Sequence, residues 1–407
     1  MQFPDPAIGL QAEMTISQLP LSYCTNVHPG RSVAEVNRGL DEVTCPVQQA
    51  WEQPLAAGLW LAQPVVRELT ADADNVKRFV DGLHERGLTC HTLNAFPYGD
   101  FHSERVKENV YLPDWSQPER LDYTIDCAEI LTELLPADGE GSISTVPLGF
   151  KGFQHPDNFG EECLDQFLEF ARRMDLLQDR TGKLIRLAIE PEPYCLLETT
   201  AEAVAFFQRL WARADTAMIG DAVRRHIGLC YDVCHQAVEF EDITRSIQSI
   251  DAAGIRINKL HISCAIQLDD PANNEAGRRA LATYVEPRYL HQTMALTPSG
   301  RVLHHIDLSR GLALEPTPDF LEARQWRIHF HVPVDAETLG PLRTTRDELR
   351  QAIAVVAQLD YAPHLEVETY TWEVLPDDAQ GPAASNRLID GLVRELRGTR
   401  DLLAAVS

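Results

Sequence analysis

Carboxylates and imidazoles recur at the ends of apolar, strand-like runs in the second half of this chain. LAIEPEP carries Glu190 and Glu192, LCYDVCH carries Asp232 and His235, and KLHISC carries His261. IHFHVPV carries His329 and His331, and LEVETYTW carries Glu366 and Glu368. A charged side chain inside an apolar strand is costly unless it is paired or ligates a cation. Five successive runs ending in such residues therefore predict one shared centre, a divalent metal site. Carboxylate and imidazole donors together suit Mn, Zn, Co or Fe, whereas an all-oxygen set would favour Mg or Ca. The competing reading of the carboxylates is a structural salt bridge. Residues two apart share a face of a strand, so Glu366 pairs with Glu368 and His329 with His331. Of the glutamates, the one nearer the strand end is expected to reach the metal. The histidines read as a ligand pair or as a ligand beside a substrate donor. Cys234 alternates away from Asp232 and His235 and reads as a core thiol.

The elements that must position these residues repeat one pattern: an apolar, β-branched run, a turn, then a segment of helical period. The runs span 19–27, 88–96, 141–150, 185–191, 227–234, 255–265, 327–334 and 364–370. Helix signals accompany them. Thr199 with Glu202 and Thr345 with Glu348 have capping-box spacing, and Leu164, Phe167, Leu168 and Ala171 follow an i, i+3, i+4, i+7 stripe. Eight such units can form an open sheet or a closed barrel. No GxGxxG follows the first strand and no GxxxxGK[ST] occurs, which removes the nucleotide-binding open sheets. The expectation is an α/β fold, a (β/α)8 TIM barrel in one domain over 1–407, with its active face at the C-terminal strand ends.

Two connections exceed ordinary loop lengths: 98–117, after the second of these strands, and 266–325, inserted between the sixth and seventh. Both read as lids over the barrel mouth, the second holding a helix and a strand pair. Asn94, Tyr98, His102 and Lys107 sit at or after a strand end and are candidate substrate contacts, as are Lys151 and His91. His304 and His305 in the second lid read as surface residues.

The succession of Glu, Asp-x-x-His, His and Glu at these strand ends resembles the xylose-isomerase-like superfamily, which includes sugar isomerases, ketose 3-epimerases and endonuclease IV-type enzymes. STVPLGFK, NAFPYGDFH, VKENVYLPDW, CYDVCH and EVETYTW together resemble the EboE family of metabolite-traffic proteins. The superfamily resemblance implies metal ligands Glu190, Asp232, His261 and Glu368, with Glu190 and Glu368 also acting as the catalytic acid/base pair. His235, His329 and His331 depart from a one-metal epimerase and are similar to a second, hydrolytic metal position. Against that, Thr145 stands where the nucleases place a histidine, although His91 could compensate. Three functions stay open: a metal-dependent isomerase or epimerase of a small polyol, sugar or cyclitol-like metabolite; a multinuclear phosphoesterase; and a non-catalytic metabolite-binding protein. The EboE resemblance implies a link to metabolite export and to a prenyltransferase of the same operon.

Composition narrows the partners. A net charge of −25 over 407 residues is unsuited to gripping a phosphate backbone, which calls for a basic face, so nucleic acid is excluded as a partner. A basic pocket for a small anion is not. The opening MQFPDPAIGLQAEM has neither a basic n-region nor a continuous apolar segment, so no signal peptide or membrane span is expected and the location reads as cytoplasmic. Nine cysteines without a CxxC pair read as reduced thiols. The sequence is compatible with an oligomer.

Overall fold

The computed structural model describes residues 15–376 and 386–406. Seven strands come first: β1 (Ser22–Cys24), β2 (Ala56–Trp60), β3 (Thr92–Asn94), β4 (Glu140–Thr145), β5 (Leu184–Ile189), β6 (Ile227–Asp232) and β7 (Ile257–Ile262). Six short strands follow: β8 (Ile266–Asp269), β9 (Thr293–Leu296), β10 (Val302–His305), β11 (Gln325–Ile328), β12 (Thr338–Leu339) and β13 (Leu342–Thr344). The chain then returns as β14 (His364–Val367). Strands β1 to β7 and β14 pair in parallel, in chain order, and close into a barrel, while β8 to β13 form a separate antiparallel sheet in the order β10-β9-β11-β8-β13-β12. Every residue of β2, β3, β6, β7 and β14 is buried. Burial of both faces includes polar residues of the strands, among them Asn258, Lys259 and His261 of β7 and His364 and Glu366 of β14.

The closed (β/α)8 barrel agrees with the sequence expectation, but two of its elements do not. Strand β2 was not expected, because AAGLW has no β-branched residue and carries a glycine, both of which weaken a strand signature. The run 327–334 is not a barrel strand. Its start belongs to β11, which pairs with β8 and β9 on its two sides, and a strand buried within an antiparallel sheet has the same apolar signature as one in a barrel. The two differences cancel in the count of eight. In consequence the long connections follow the third and seventh barrel strands, not the second and sixth. The inserted sheet also runs past residue 325, to Thr344 in β13. Within it the stretch read as helical holds the helix Glu275–Leu281 but ends in β9, and of 301–314, read as a strand pair, only Val302–His305 is a strand (β10, paired with β9) while Arg310–Leu314 is helix.

Local signals fared unevenly. The Thr199 capping box forms with Glu202, and Leu164, Phe167, Leu168 and Ala171 are the buried stripe of the helix Phe159–Thr181. Thr345 makes no cap, because its hydroxyl accepts from the Ala265 backbone N at 2.8 Å and Glu348 pairs with Arg327. The stretch read as lacking a leader, 1–14, lies outside the described residues. Among the described residues no helix is long and apolar enough to cross a membrane. All nine cysteines are unpaired.

Candidate metal centre and its cavity

Strands β5, β6, β7 and β14 each bring one ligand-capable side chain to the barrel mouth. Glu190 directly follows β5, Asp232 ends β6, His261 is penultimate in β7 and Glu368 directly follows β14. Parallel register sets Asp232 beside His261, and His261 beside Glu366. One donor atom of each of Glu190, Asp232, His261 and Glu368 lies within 4.8 Å of all the others, and all four side chains are buried. His261 Nδ1 stands 3.1 Å from Glu190 Oε1, 3.3 Å from Asp232 Oδ2 and 3.0 Å from Glu368 Oε2.

These residues fit a divalent cation. Three buried carboxylates around one imidazole nitrogen concentrate negative charge where water cannot screen it. Glu190 Oε2 and Asp232 Oδ2 are buried with no hydrogen-bond partner. Burial works to lower the His261 pKa, yet Cys230, Glu368 and Glu190 outweigh it and raise it well above its ordinary value. The site thus selects positive charge, and its mixed oxygen and nitrogen donors suit Mn, Zn, Co or Fe.

A layer of partners aims these donors. Glu368 Oε1 accepts from Asn26 Nδ2 and Asn94 Nδ2, both at 2.9 Å, which leaves Oε2 for the centre. Asp232 Oδ1 accepts from Ser263 Oγ at 2.8 Å and from the His235 backbone N at 2.9 Å, capping the helix Val233–Val238. On the far side of His261, Nε2 lies 3.1 Å from Glu366 Oε2, and Glu366 is paired with Lys259 Nζ at 2.6 Å. An ionised carboxylate on Nε2 fixes that proton and turns the Nδ1 lone pair toward the centre, as outer carboxylates do for ligating histidines. Space for Glu366 comes from β2: a Cβ at Gly58 would fall 1.6 Å from Glu366 Oε1. Burial would raise the carboxyl pKa values, but the neighbouring lysine and histidines reverse it. Lys259 and His261 hold Glu366 below its ordinary value, His261 and His331 hold Glu368 at about 2, and His235, His331 and His261 hold Asp232 well below.

His235, His329 and His331 form a second group beside the first. Each Nδ1 faces an oxygen: His235 the Pro191 carbonyl at 3.1 Å, His329 the Gln292 Oε1 at 2.7 Å, and His331 the Glu368 carbonyl at 2.9 Å. With Nδ1–H donated, each ring presents Nε2 as a lone pair, and Nε2 of His329 and of His331 is buried without a partner. The His235 ring centroid lies 4.5 Å from that of His329 and 5.5 Å from that of His331. Burial lowers the pKa of His235, and lowers that of His329 further with the help of the neighbouring imidazoles. Neutral imidazole is the ligating form. Asp232 with His235 and His331, and Glu192 with His235 and His329, bring their donor atoms within 4.8 Å of one another.

Above both groups lies a cavity of about 500 Å³, counted out to its mouth, with Asn26, Asn94, Glu190, Glu192, His235 and Glu368 among its polar lining. Glu192 accepts from Tyr111 Oη at 2.7 Å. Burial, with the charges of Glu190 and Asp232, nonetheless raises its pKa well above the ordinary value, which favours the neutral acid.

Of the expected substrate contacts, Asn94 and Lys107 line this cavity, but the Lys107 ammonium is tied to the Glu286 and Tyr289 carbonyls and to Asp307. The other four are not on its lining. Tyr98 packs on Tyr123 at 4.9 Å. His102 Nε2 faces the Asn26 carbonyl at 2.8 Å and so orients the Asn26 loop. Lys151 pairs with Glu198 and Glu202. His91 precedes β3 and packs on His364, the first residue of β14, at 4.9 Å, which places it at the opposite end of the barrel. Asn26, Tyr111 and Gln292 were not anticipated, and a lone polar residue in a loop carries no period or motif that would reveal it. Glu366 was visible as a neighbour of Glu368, though its partner Lys259 was not.

No family model matches the chain, and no curated protein matches its sequence. Among solved structures, the chain is similar to a xylose isomerase-like TIM barrel protein from Mycobacterium smegmatis in complex with magnesium, with a TM-score of 0.51 and 11% identity over 96% of this chain and 98% of that one. An L-ribulose 3-epimerase is similar with a TM-score of 0.50 and 12% identity over 95% of each chain. At such identities the likeness establishes the fold, a (β/α)8 barrel.

Proposed function

We propose that this protein is a metal-dependent isomerase or epimerase of a small polyhydroxylated metabolite, sugar-like or cyclitol-like. One observation carries the reading: Glu190 and Glu368 belong both to the four-donor cluster and to the cavity lining. A substrate in the cavity therefore meets two carboxylates beside the cation position. Glu190, Asp232, His261 and Glu368 would hold a divalent metal, which when bound polarises a carbonyl or hydroxyl oxygen and makes the adjoining C–H more acidic. Glu368, ionised and steadied by Asn26 and Asn94, accepts the C–H proton at Oε2 as the electron pair moves toward the carbonyl oxygen. Glu190 enters the cycle protonated at its unpartnered Oε2 and delivers that proton to carbon, so the two glutamates exchange protonation states in each turnover. Delivery to the opposite face of the same carbon inverts it, and delivery to the neighbouring carbon isomerises. The neutral Glu192 holds a substrate hydroxyl.

The test is exchange in D2O with metal-loaded protein and a panel of ketoses. One solvent deuterium per turnover is expected at the reacting carbon, and Glu368→Gln should leave ligand binding nearly intact while removing exchange. Absence of exchange across the panel would overturn the reading.

A second reading, a metal-dependent phosphoesterase, is favoured by the unpartnered Nε2 atoms of His329 and His331, which with His235 and Asp232 would hold a second cation. About one metal per chain by elemental analysis supports isomerisation, and two or three support hydrolysis. The motifs shared with the EboE family support a cytoplasmic protein linked to metabolite export and to a prenyltransferase of the same operon, and nine unpaired cysteines suit a reducing compartment. We read 1–407 as one domain in which the segment between β7 and β14 is an inserted lid.

A further inference from the structure

The carboxylates of the cavity, Glu190, Glu192 and Glu368, stand at the strand ends. The cavity wall is supplied by the two long connections, with Phe101, Val106 and Val110 from the first and Tyr289 and Leu290 from the second. Four of these five have side chains of carbon alone, and the hydroxyls of Tyr289 and Tyr111 are already spent. Tyr289 Oη donates to the Phe101 carbonyl at 3.1 Å. Tyr111 Oη donates to Glu192 and accepts from Gln292 Nε2 at 2.9 Å. The rings of Phe101, Tyr289 and Tyr370 pack on one another with centroids 4.8 to 5.3 Å apart, so their faces offer a ligand carbon surface, with the Tyr370 hydroxyl the one phenol on the lining that could meet a ligand hydroxyl.

Charge is equally one-sided. Among the described residues, Lys107 is the one lysine or arginine on the lining, and its three donors are taken by Glu286, Tyr289 and Asp307. The acidic side of the lining carries the carboxyl groups of Glu190, Glu192 and Glu368. A phosphate on the ligand would meet no cationic side chain, and hydroxyls placed along the wall would lose water without replacement, at a cost for each unpaired group. A free sugar carries hydroxyls around its whole perimeter and leaves this wall unused.

Resting on the isomerase or epimerase reading, we infer that the substrate is amphipathic: an unphosphorylated, hydroxylated end reacts at Glu190 and Glu368, and an uncharged aryl or alkyl substituent lies against Phe101, Val110, Tyr289 and Leu290. The long connections thus choose the substrate and the barrel supplies the chemistry.

Calorimetric titration of the metal-loaded full chain with phenyl and hexyl β-glucosides, against glucose, fructose and fructose 6-phosphate, tests this directly. The glucosides should bind at least about 30-fold more tightly than the free sugars, the gain expected from burying one such group, and the phosphate should bind no better than fructose. In Val110→Gln and Leu290→Gln, at partly exposed positions of the wall, the ratio of glucoside to sugar affinity should fall about tenfold. Equal affinities in the wild type, an unchanged ratio in both variants, or tighter binding of the phosphate would overturn the inference. Deuterium exchange separates it from the reading beneath. Free ketoses that exchange, with no preference for an apolar substituent, overturn the amphipathic substrate and leave the epimerase. Substituted ketoses that bind tightly and never exchange do the reverse.

Discussion

Two groups of histidine and carboxylate donors meet at this barrel mouth, and they are built differently. Glu190, Asp232, His261 and Glu368 stand at the ends of four adjacent parallel strands, so the hydrogen bonds of the barrel itself set their spacing. His329 and His331 follow β11 in irregular chain, and their Nδ1 atoms are held by Gln292 of the insertion and by the Glu368 carbonyl. The first group cannot shift unless the barrel does. The second stays only while the inserted sheet remains seated, through contacts such as Thr371 Oγ1 with the His331 carbonyl. A scaffold of strands fixes a core site, and a decoration adds donors that can differ without disturbing it.

The strongest way to break this comparison is to remove one donor from each group. His261→Ala touches the first group alone and should abolish metal binding outright while circular dichroism still reports a folded barrel. Asp232→Ala, which serves both groups, should do the same. His331→Ala should keep the first metal, and lose only a second one where wild type carries it. Elemental analysis of chelator-free preparations reads all three. Full metal in His261→Ala, or none in His331→Ala, would show that the division is drawn in the wrong place.

This division also marks what was legible beforehand. Glu190, Asp232, His261 and Glu368 became candidates because each stands at the end of an apolar run, a signal a single chain carries on its own, and the superfamily resemblance singled them out from their neighbours. His329 and His331 carried the same signal and were assigned to a barrel strand, since a buried antiparallel strand and a buried parallel one have the same composition. Strand β2 escaped for the opposite reason. Gly58 leaves room for Glu366, a requirement set by a residue 308 positions later, and local propensity has no access to it. The amides of Asn26 and Asn94 that hold Glu368 come from two further strand ends, and pairings of that kind exist only once the barrel closes.

A smaller effect sharpens the barrel side. Glu366→Gln should weaken metal binding about 10- to 100-fold, as loss of a histidine's outer partner commonly does. It also leaves Lys259 buried without its counter-charge, which costs about 3–5 kcal/mol. The double variant Lys259→Met with Glu366→Gln separates the two roles. Thermal stability should recover in the double variant, and metal affinity should not. If affinity recovers with stability, the pair is structural and does not orient His261.

The smallest effect lies on the seam between the groups. Glu395, from the helix Arg387–Ala404, accepts from the Val334 backbone N at 3.1 Å and Thr369 Oγ1 at 2.5 Å through one oxygen, and from Trp372 Nε1 at 3.0 Å through the other. It therefore ties the segment after His331 to the segment after Glu368. Burial raises its pKa from 4.5 to about 8, against the hydrogen bond from Thr369. A raised folded-state value means that the stabilisation is complete below the unfolded pKa and is lost as pH climbs through the folded one, here between roughly 4.5 and 8. Melting temperature should thus fall from pH 5 to pH 8 in the wild type, and the fall should be smaller by about 2–4 °C in Glu395→Gln, the shift expected for on the order of 1 kcal/mol. Parallel melting curves for the two proteins across that window would mean that the seam does not titrate and that the insertion is seated by packing alone.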